Sequence, residues 1–205
     1  MSKFSRLHHF LFLCLLALAS SFAVFGQDTK ASILHPPAGN KIAVIVFEDL
    51  ECPQCSRTQP IVDEAKKEYK IPVIIYDFPL PQHQWSYDAA VMAHYFRSKS
   101  TKTNNLEAAF RDYIYQNQPA ITAQNLRSYA EKFAQQHKVG LPFAIDPTGK
   151  FAAEIKADKD KAAIVGINHT PTVYVVTTNP GEPYTEVTDT GALFQTIDGV
   201  MAKLK

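Results

Sequence analysis

The chain has 205 residues, 46% of them hydrophobic and 20% charged, with a formal net charge of +1. That length supports one domain with a packed core, elaborated by an insertion, and excludes a miniature scaffold that must be stapled to fold. The near-neutral balance leaves no electrostatic footprint for nucleic acid.

Lys3 and Arg6 precede an apolar run, Phe10 to Leu18, and small residues follow from Ala19 to Ala23. This is the pattern of a secretory signal peptide over residues 1–26, with cleavage after Ala23 or Gly26, and the run is too short for a spanning helix. Its removal takes away two cations and no acids, so the net charge falls from +1 to −1. Cys14 leaves with it, and only Cys52 and Cys55 remain. No later segment is long and apolar enough to span a membrane, so the mature protein is expected to be soluble and periplasmic, or otherwise extracytoplasmic.

Residues 27–40 are polar and broken by Pro36, Pro37 and Gly39, which predicts an exposed leader. The domain proper is expected over 41–205. Ile42 to Phe47 is a β-branched and apolar run of the kind buried on both sheet faces. From Pro53 to about Tyr69 the pattern turns helical, with Ile61, Val62, Ala65 and Tyr69 on one stripe. Ile71 to Phe78 reads as a second buried strand, with Pro72 tolerable at its start. Strand, helix and strand with short joints make a βαβ unit and a parallel pair.

An insertion over about 80–165 is almost wholly helical. Helices are predicted from Ser86, after Asn104 as cap, after Thr122 as cap, and from Gly149 to Val165. Trp85, Tyr87, Tyr95 and Phe96 are expected to pack this subdomain onto the sheet. Thr172 to Thr177 is then a strand, Asn179-Pro180-Gly181 a turn, Tyr184 to Thr188 a returning strand, and Ala192 to Leu204 a closing helix. The fold class is α/β.

The chemistry sits in Cys52-Pro53-Gln54-Cys55. A helix N-terminus favours a thiolate, and Cys52 stands where the first strand gives way to the helix. Cys55, one turn deeper, is placed to attack a mixed disulfide on Cys52. Pro53 suits the first helical turn. Structural zinc needs a second ligand pair, covalent haem needs a histidine where Ser56 stands, and iron–sulfur clusters need more thiolates. No metal is expected, and no cofactor beyond a redox-active Cys52–Cys55 disulfide. A purely structural disulfide is the remaining alternative, although the loop it would close is too short to stabilise much.

Cys52-Pro53-Gln54-Cys55 after a buried strand, Pro60 beyond it, and Thr170-Pro171 before a late strand resemble the thioredoxin superfamily. Within it, the Glu48-Asp49-Leu50-Glu51 lead-in and the long helical insertion resemble the exported, DsbA-like branch. The resemblance implies a thioredoxin-like fold with a helical subdomain inserted after the βαβ unit. It also implies a cis-proline at Pro171, a client segment bound beside Thr170 by strand addition, and protein thiol-disulfide oxidoreductase activity. Oxidation of folding exported proteins is the leading function, and reduction or isomerisation the alternative. The partners implied are cysteine-containing exported proteins and a membrane redox partner. A non-catalytic chaperone or metal carrier of the same fold is the reading from another class.

Two departures stand out. DsbA-like members often carry a buried acid six positions before the first cysteine, where this chain has Val46. Gln54 stands where strongly oxidising relatives have histidine, which implies a less extreme potential. His169 and Glu51 are candidates for tuning Cys52, whereas Glu48 and Asp49 are expected to form a solvated acidic rim.

Overall fold

The computed structural model describes residues 30–204, so the signal-peptide segment lies outside the described residues. The elements follow in the order β1 (Ile42–Glu48), α1 (Pro53–Tyr69), β2 (Val73–Asp77), α2 (Ser86–Lys99), α3 (Leu106–Asn117), α4 (Leu126–Gln136), α5 (Lys150–Val165), β3 (Thr172–Thr177), β4 (Tyr184–Glu186) and α6 (Leu193–Ala202). The sheet order is β2-β1-β3-β4. β1 pairs parallel with β2 and antiparallel with β3, and β4 returns antiparallel on β3.

β1 is buried along its whole length because both faces are covered. Alternate side chains point to opposite faces of a strand. Ile42, Val44 and Val46 meet Val62 and Ala65 of α1 and Leu193, Ile197 and Val200 of α6. Ala43, Ile45 and Phe47 pack with Ala162 and Val165 of α5. Leu34 joins that second layer and is completely buried. The expected leader is therefore exposed only in part, because the far face of β1 needs an apolar cover and Leu34 supplies some of it. β2, expected to be buried, is half-buried over Val73–Tyr76 because it lies at the edge of the sheet.

The insertion builds its own core around Phe96, Phe110 and Phe133, whose ring centroids lie 4.6 to 5.2 Å apart. Trp85, Tyr95 and Phe96 are buried there, while Tyr87 is 44% exposed on the outer side. Two helix starts differ from expectation. Asn105, not Asn104, caps α3 by accepting from the Ala108 amide, and Ser100 Oγ accepts from Leu106 at 2.9 Å. Thr122 starts a turn rather than a helix, its amide donating to Asn125 Oδ1 at 2.7 Å. In both places the local polar residues can close more than one turn, and the helix begins where Leu106 or Leu126 enters the core.

The same core runs on without a break to Leu50, Cys52 and Cys55. The cysteine pair thus lies at the seam between the helical subdomain and the sheet. Among the described residues no helix is long and apolar enough to cross a membrane.

Candidate active site

Cys52 is the N-cap residue of α1, with extended backbone, and Pro53 follows in the first turn. Both cysteines are free thiols. Cys52 is 7% exposed and Cys55 2%, so the first cysteine is the more accessible yet is not an open surface thiol. Burial at the seam is what the local pattern did not convey.

The Thr170–Pro171 peptide bond is cis and faces the pair. The Cys52 thiol donates to the Thr170 carbonyl oxygen at 3.3 Å. The Cys55 thiol stabilises Cys52 as thiolate, burial opposes this, and the Thr170 hydroxyl with the amides of Cys55 and Gln54 adds to it; the net effect pulls Cys52 from 9.0 down to about 5. Burial pushes Cys55 the other way, far above its ordinary range, with the neighbouring Cys52 sulfur and the Glu48 carboxylate adding to the effect. Two thiols one helical turn apart thus have opposite protonation preferences, Cys52 toward the thiolate and Cys55 toward the thiol.

Gln118, distant in sequence, donates from Nε2 to the carbonyl oxygens of Leu50 and Cys52 at 2.8 and 3.1 Å. It fixes the turn that presents Cys52. Gln54 turns its side-chain oxygen to Arg57, which donates from Nε and Nη2. His169 is exposed, its ring bonded to Asn168, and with Gln54, Thr170 and Pro171 it lines a groove of about 470 Å³ bordered by Glu186 and Asp189. Glu51 does not reach the thiols: its carboxylate accepts from the Trp85 and Ser86 amides at 2.7 and 3.1 Å and so closes the start of α2.

The expected acidic rim is absent. Glu48 and Asp49 are 5% and 1% exposed. Asp49 accepts from the amides of Glu51 and Leu80 and pairs with His83 at 2.7 Å. Glu48 faces Arg111 of α3 at 3.0 Å, and Arg111 also grips Asp77 of β2 with two bonds and reaches Glu107. His94 bridges Asp77 and Glu154 at 2.8 Å on each side. Burial raises Glu48 from 4.5 to about 7, although Arg111 pulls the other way; Asp77 adds to the rise. Burial works against the Asp77 carboxylate as well, but Arg111 and His94 outweigh it and hold the group far below the usual carboxylate range. Ligand-type atoms of Asp77, His94 and Asp158 lie within 4.8 Å of one another. Arg111 and Lys161 already neutralise these acids, so the cluster reads as an ion-pair network.

Behind Cys55 a cavity of about 180 Å³ is bounded by Val46, Glu48, Thr58, Arg111 and Pro171, and the exposed residues Asp63, Lys66 and Arg97 stand around it. Thr58 Oγ1 and Arg111 Nε, both buried, have no protein partner. Neither residue carried a sequence signal, because an isolated threonine or arginine on a helix reads as surface until the neighbouring elements are in place.

A family model described as thioredoxin matches residues 37–188. No curated protein matches the chain. Among solved structures, the fold is similar to that of a variant of Wolbachia pipientis alpha-DsbA1, at a TM-score of 0.66 and 14% identity over 86% of this chain and 100% of that one. It is also similar to the thiol-disulfide exchange protein alpha-DsbA2 of the same organism, at 0.62 and 14% over 86% and 98%. A periplasmic thioredoxin-like protein from Salmonella enterica serovar Typhimurium matches at 0.61 and 18% over 80% and 87%. These likenesses describe a shared fold.

Proposed function

The chain belongs to the thioredoxin family, which its match over residues 37–188 shows, and from that premise we propose that it is an exported protein thiol-disulfide oxidoreductase. The observation that carries the reading is the placement of the two thiols, Cys52 at the start of α1 with its Sγ 3.3 Å from the Thr170 carbonyl oxygen and Cys55 buried one turn behind it, an arrangement that draws Cys52 down to about 5 and pushes Cys55 up.

In the oxidising direction a client thiolate attacks Cys52 Sγ of the Cys52–Cys55 disulfide, and Cys55 leaves with the electron pair and takes up a proton. A second client thiolate attacks the client sulfur of the mixed disulfide and releases Cys52 as thiolate. Two electrons pass from client to the cysteine pair. A stabilised Cys52 thiolate favours the reduced protein, which makes the disulfide a good oxidant. The neutral Gln54 side chain, turned to Arg57, supports a potential short of the strongest oxidants. The groove beside Thr170 and Pro171 is where a client segment would lie, its backbone against Thr170. Signal-like residues 1–26 and the periplasmic Salmonella likeness support an extracytoplasmic setting, with cysteine-containing exported proteins as clients and a membrane redox partner restoring the disulfide.

Equilibration with glutathione tests the direction. A reduction potential near −200 mV, roughly midway along the range spanned by this fold, is expected. A value below about −250 mV would assign the protein to reduction instead. Stoichiometric metal retention with no dithiol-dependent turnover of insulin would replace the enzyme by a carrier.

A further inference from the structure

We infer that Glu48 holds and delivers the proton of Cys55 across the cavity behind α1, taking a role for which Val46, two residues earlier on the same strand face, has no chemistry. This rests on the exchange reading above and adds the proton path that reading leaves open.

Geometry carries the case. Cys55 is 2% exposed, so its proton has no direct route to bulk water, yet it must leave before the sulfur can attack and return when the sulfur is expelled. Glu48 and Cys55 border one cavity. A volume of about 180 Å³ has room for several waters. The buried Thr58 Oγ1 and Arg111 Nε, without protein partners, supply the polar contacts that hold water there, since an unpaired buried polar group is costly. The exposed Asp63 and Lys66 on the same cavity mark its side toward solvent.

The charges around Glu48 suit a group that changes protonation. Arg111 faces it from α3 and Asp77 from β2, while Tyr115 and Cys55 are its uncharged neighbours from α3 and α1. Arg111 is shared with Asp77 and Glu107, and Asp77 with His94, while Lys66 and Arg97 stand farther out around the cavity, so Arg111 leaves Glu48 incompletely neutralised. A carboxyl titrating near 7 populates both forms at neutral pH, as a proton relay needs. When a mixed disulfide resolves, the Cys55 S–H proton passes through cavity water to the Glu48 carboxylate. The Cys55 thiolate then attacks Cys52 Sγ, the Cys52–Cys55 bond forms, and the client leaves with the electron pair as a thiolate. When a client thiolate opens the disulfide, Glu48 as the acid returns the proton to Cys55.

The test loads Cys52 of the full mature protein with thionitrobenzoate and follows release of the coloured thiolate by stopped flow from pH 5 to 9. In the wild type the release rate should rise through a step at about pH 7. Glu48→Gln should slow release on the order of 100-fold at pH 7 and lose the step, while capture of the reagent by Cys52 stays within about twofold, as expected of a group that does not act on the first thiol. Glu48→Asp should restore part of the rate and a displaced step, which a merely structural role would not do. Release by Glu48→Gln with the wild-type rate and profile would overturn the proposal alone, and so would a wild-type profile without a step, even should the glutamine variant not fold. A wild-type mixed disulfide that never resolves would overturn the exchange reading, and this proposal with it.

Discussion

Cys52 and Cys55 are separated by one helical turn, and their roles follow from what surrounds each sulfur. Replacing Cys55 with serine should accumulate mixed disulfides on Cys52, whereas Cys52→Ser should abolish capture, as read on non-reducing gels; capture by the Cys52→Ser protein would reverse the roles. The Cys52 shift also has a thermal signature. A folded-state thiol at about 5 against 9.0 unfolded contributes stability to the reduced form that is absent below pH 5, grows above it and is complete above pH 9. Paired melts should therefore show the reduced protein more stable than the oxidised at pH 7, on the order of 1 to 2 kcal/mol after solvent screening, and the gap closing toward pH 5. Glu48 has the opposite sign. Its folded value of about 7 lies above the unfolded 4.5, so its contribution is full below pH 4.5 and is lost as pH rises through 7. Denaturant unfolding of the wild type should fall by about 3 kcal/mol more than that of Glu48→Gln between pH 4.5 and 8.

At the scale of elements, the loop from β1 to α1 is held by side chains reaching from elsewhere. Gln118, just past α3, pins the carbonyls of Leu50 and Cys52, and Glu51 closes the first turn of α2. Glu51 is therefore a joint between α1 and α2. Glu51→Ala leaves the Trp85 and Ser86 amides without their partner and should lower stability by about 1 to 2 kcal/mol. Thiolate absorbance should titrate nearly as in the wild type; a large displacement of that titration would instead make Glu51 a tuning residue.

Across the whole molecule, the ion-pair network of Glu48, Asp77, Arg111, His94 and Glu154 ties β1 and β2 to α2, α3 and α5. The insertion is thus fastened to the sheet by charge as well as by the phenylalanine core. Removing the shared cation is the severe change: Arg111→Met leaves Asp77 buried without its main partner and should cost about 3 to 5 kcal/mol at pH 7. The depressed Asp77 contributes stability above its unfolded value of 3.8 that is lost as pH falls. The deficit of Arg111→Met relative to wild type should accordingly stay nearly constant from pH 7 to about pH 5 and shrink as pH falls from about 5 to about 2, measured by denaturant unfolding across that range.

Much of this architecture is written locally. The β-branched run of β1, the apolar stripes of the helices, the paired cysteines at a strand-to-helix joint and Thr170-Pro171 ahead of β3 each state their element in a few neighbouring residues, because backbone geometry repeats every two or 3.6 residues. The charged groups carry no such period. Whether Glu48 meets water or Arg111, 63 positions away, is decided only when α3 packs against β1, and the same holds for Gln118 at the Cys52 turn and for Leu34 under the sheet. Apolar pattern says which face turns inward; only tertiary packing decides which polar groups are taken in with it, since a buried charge is tolerable only where a distant partner arrives to meet it.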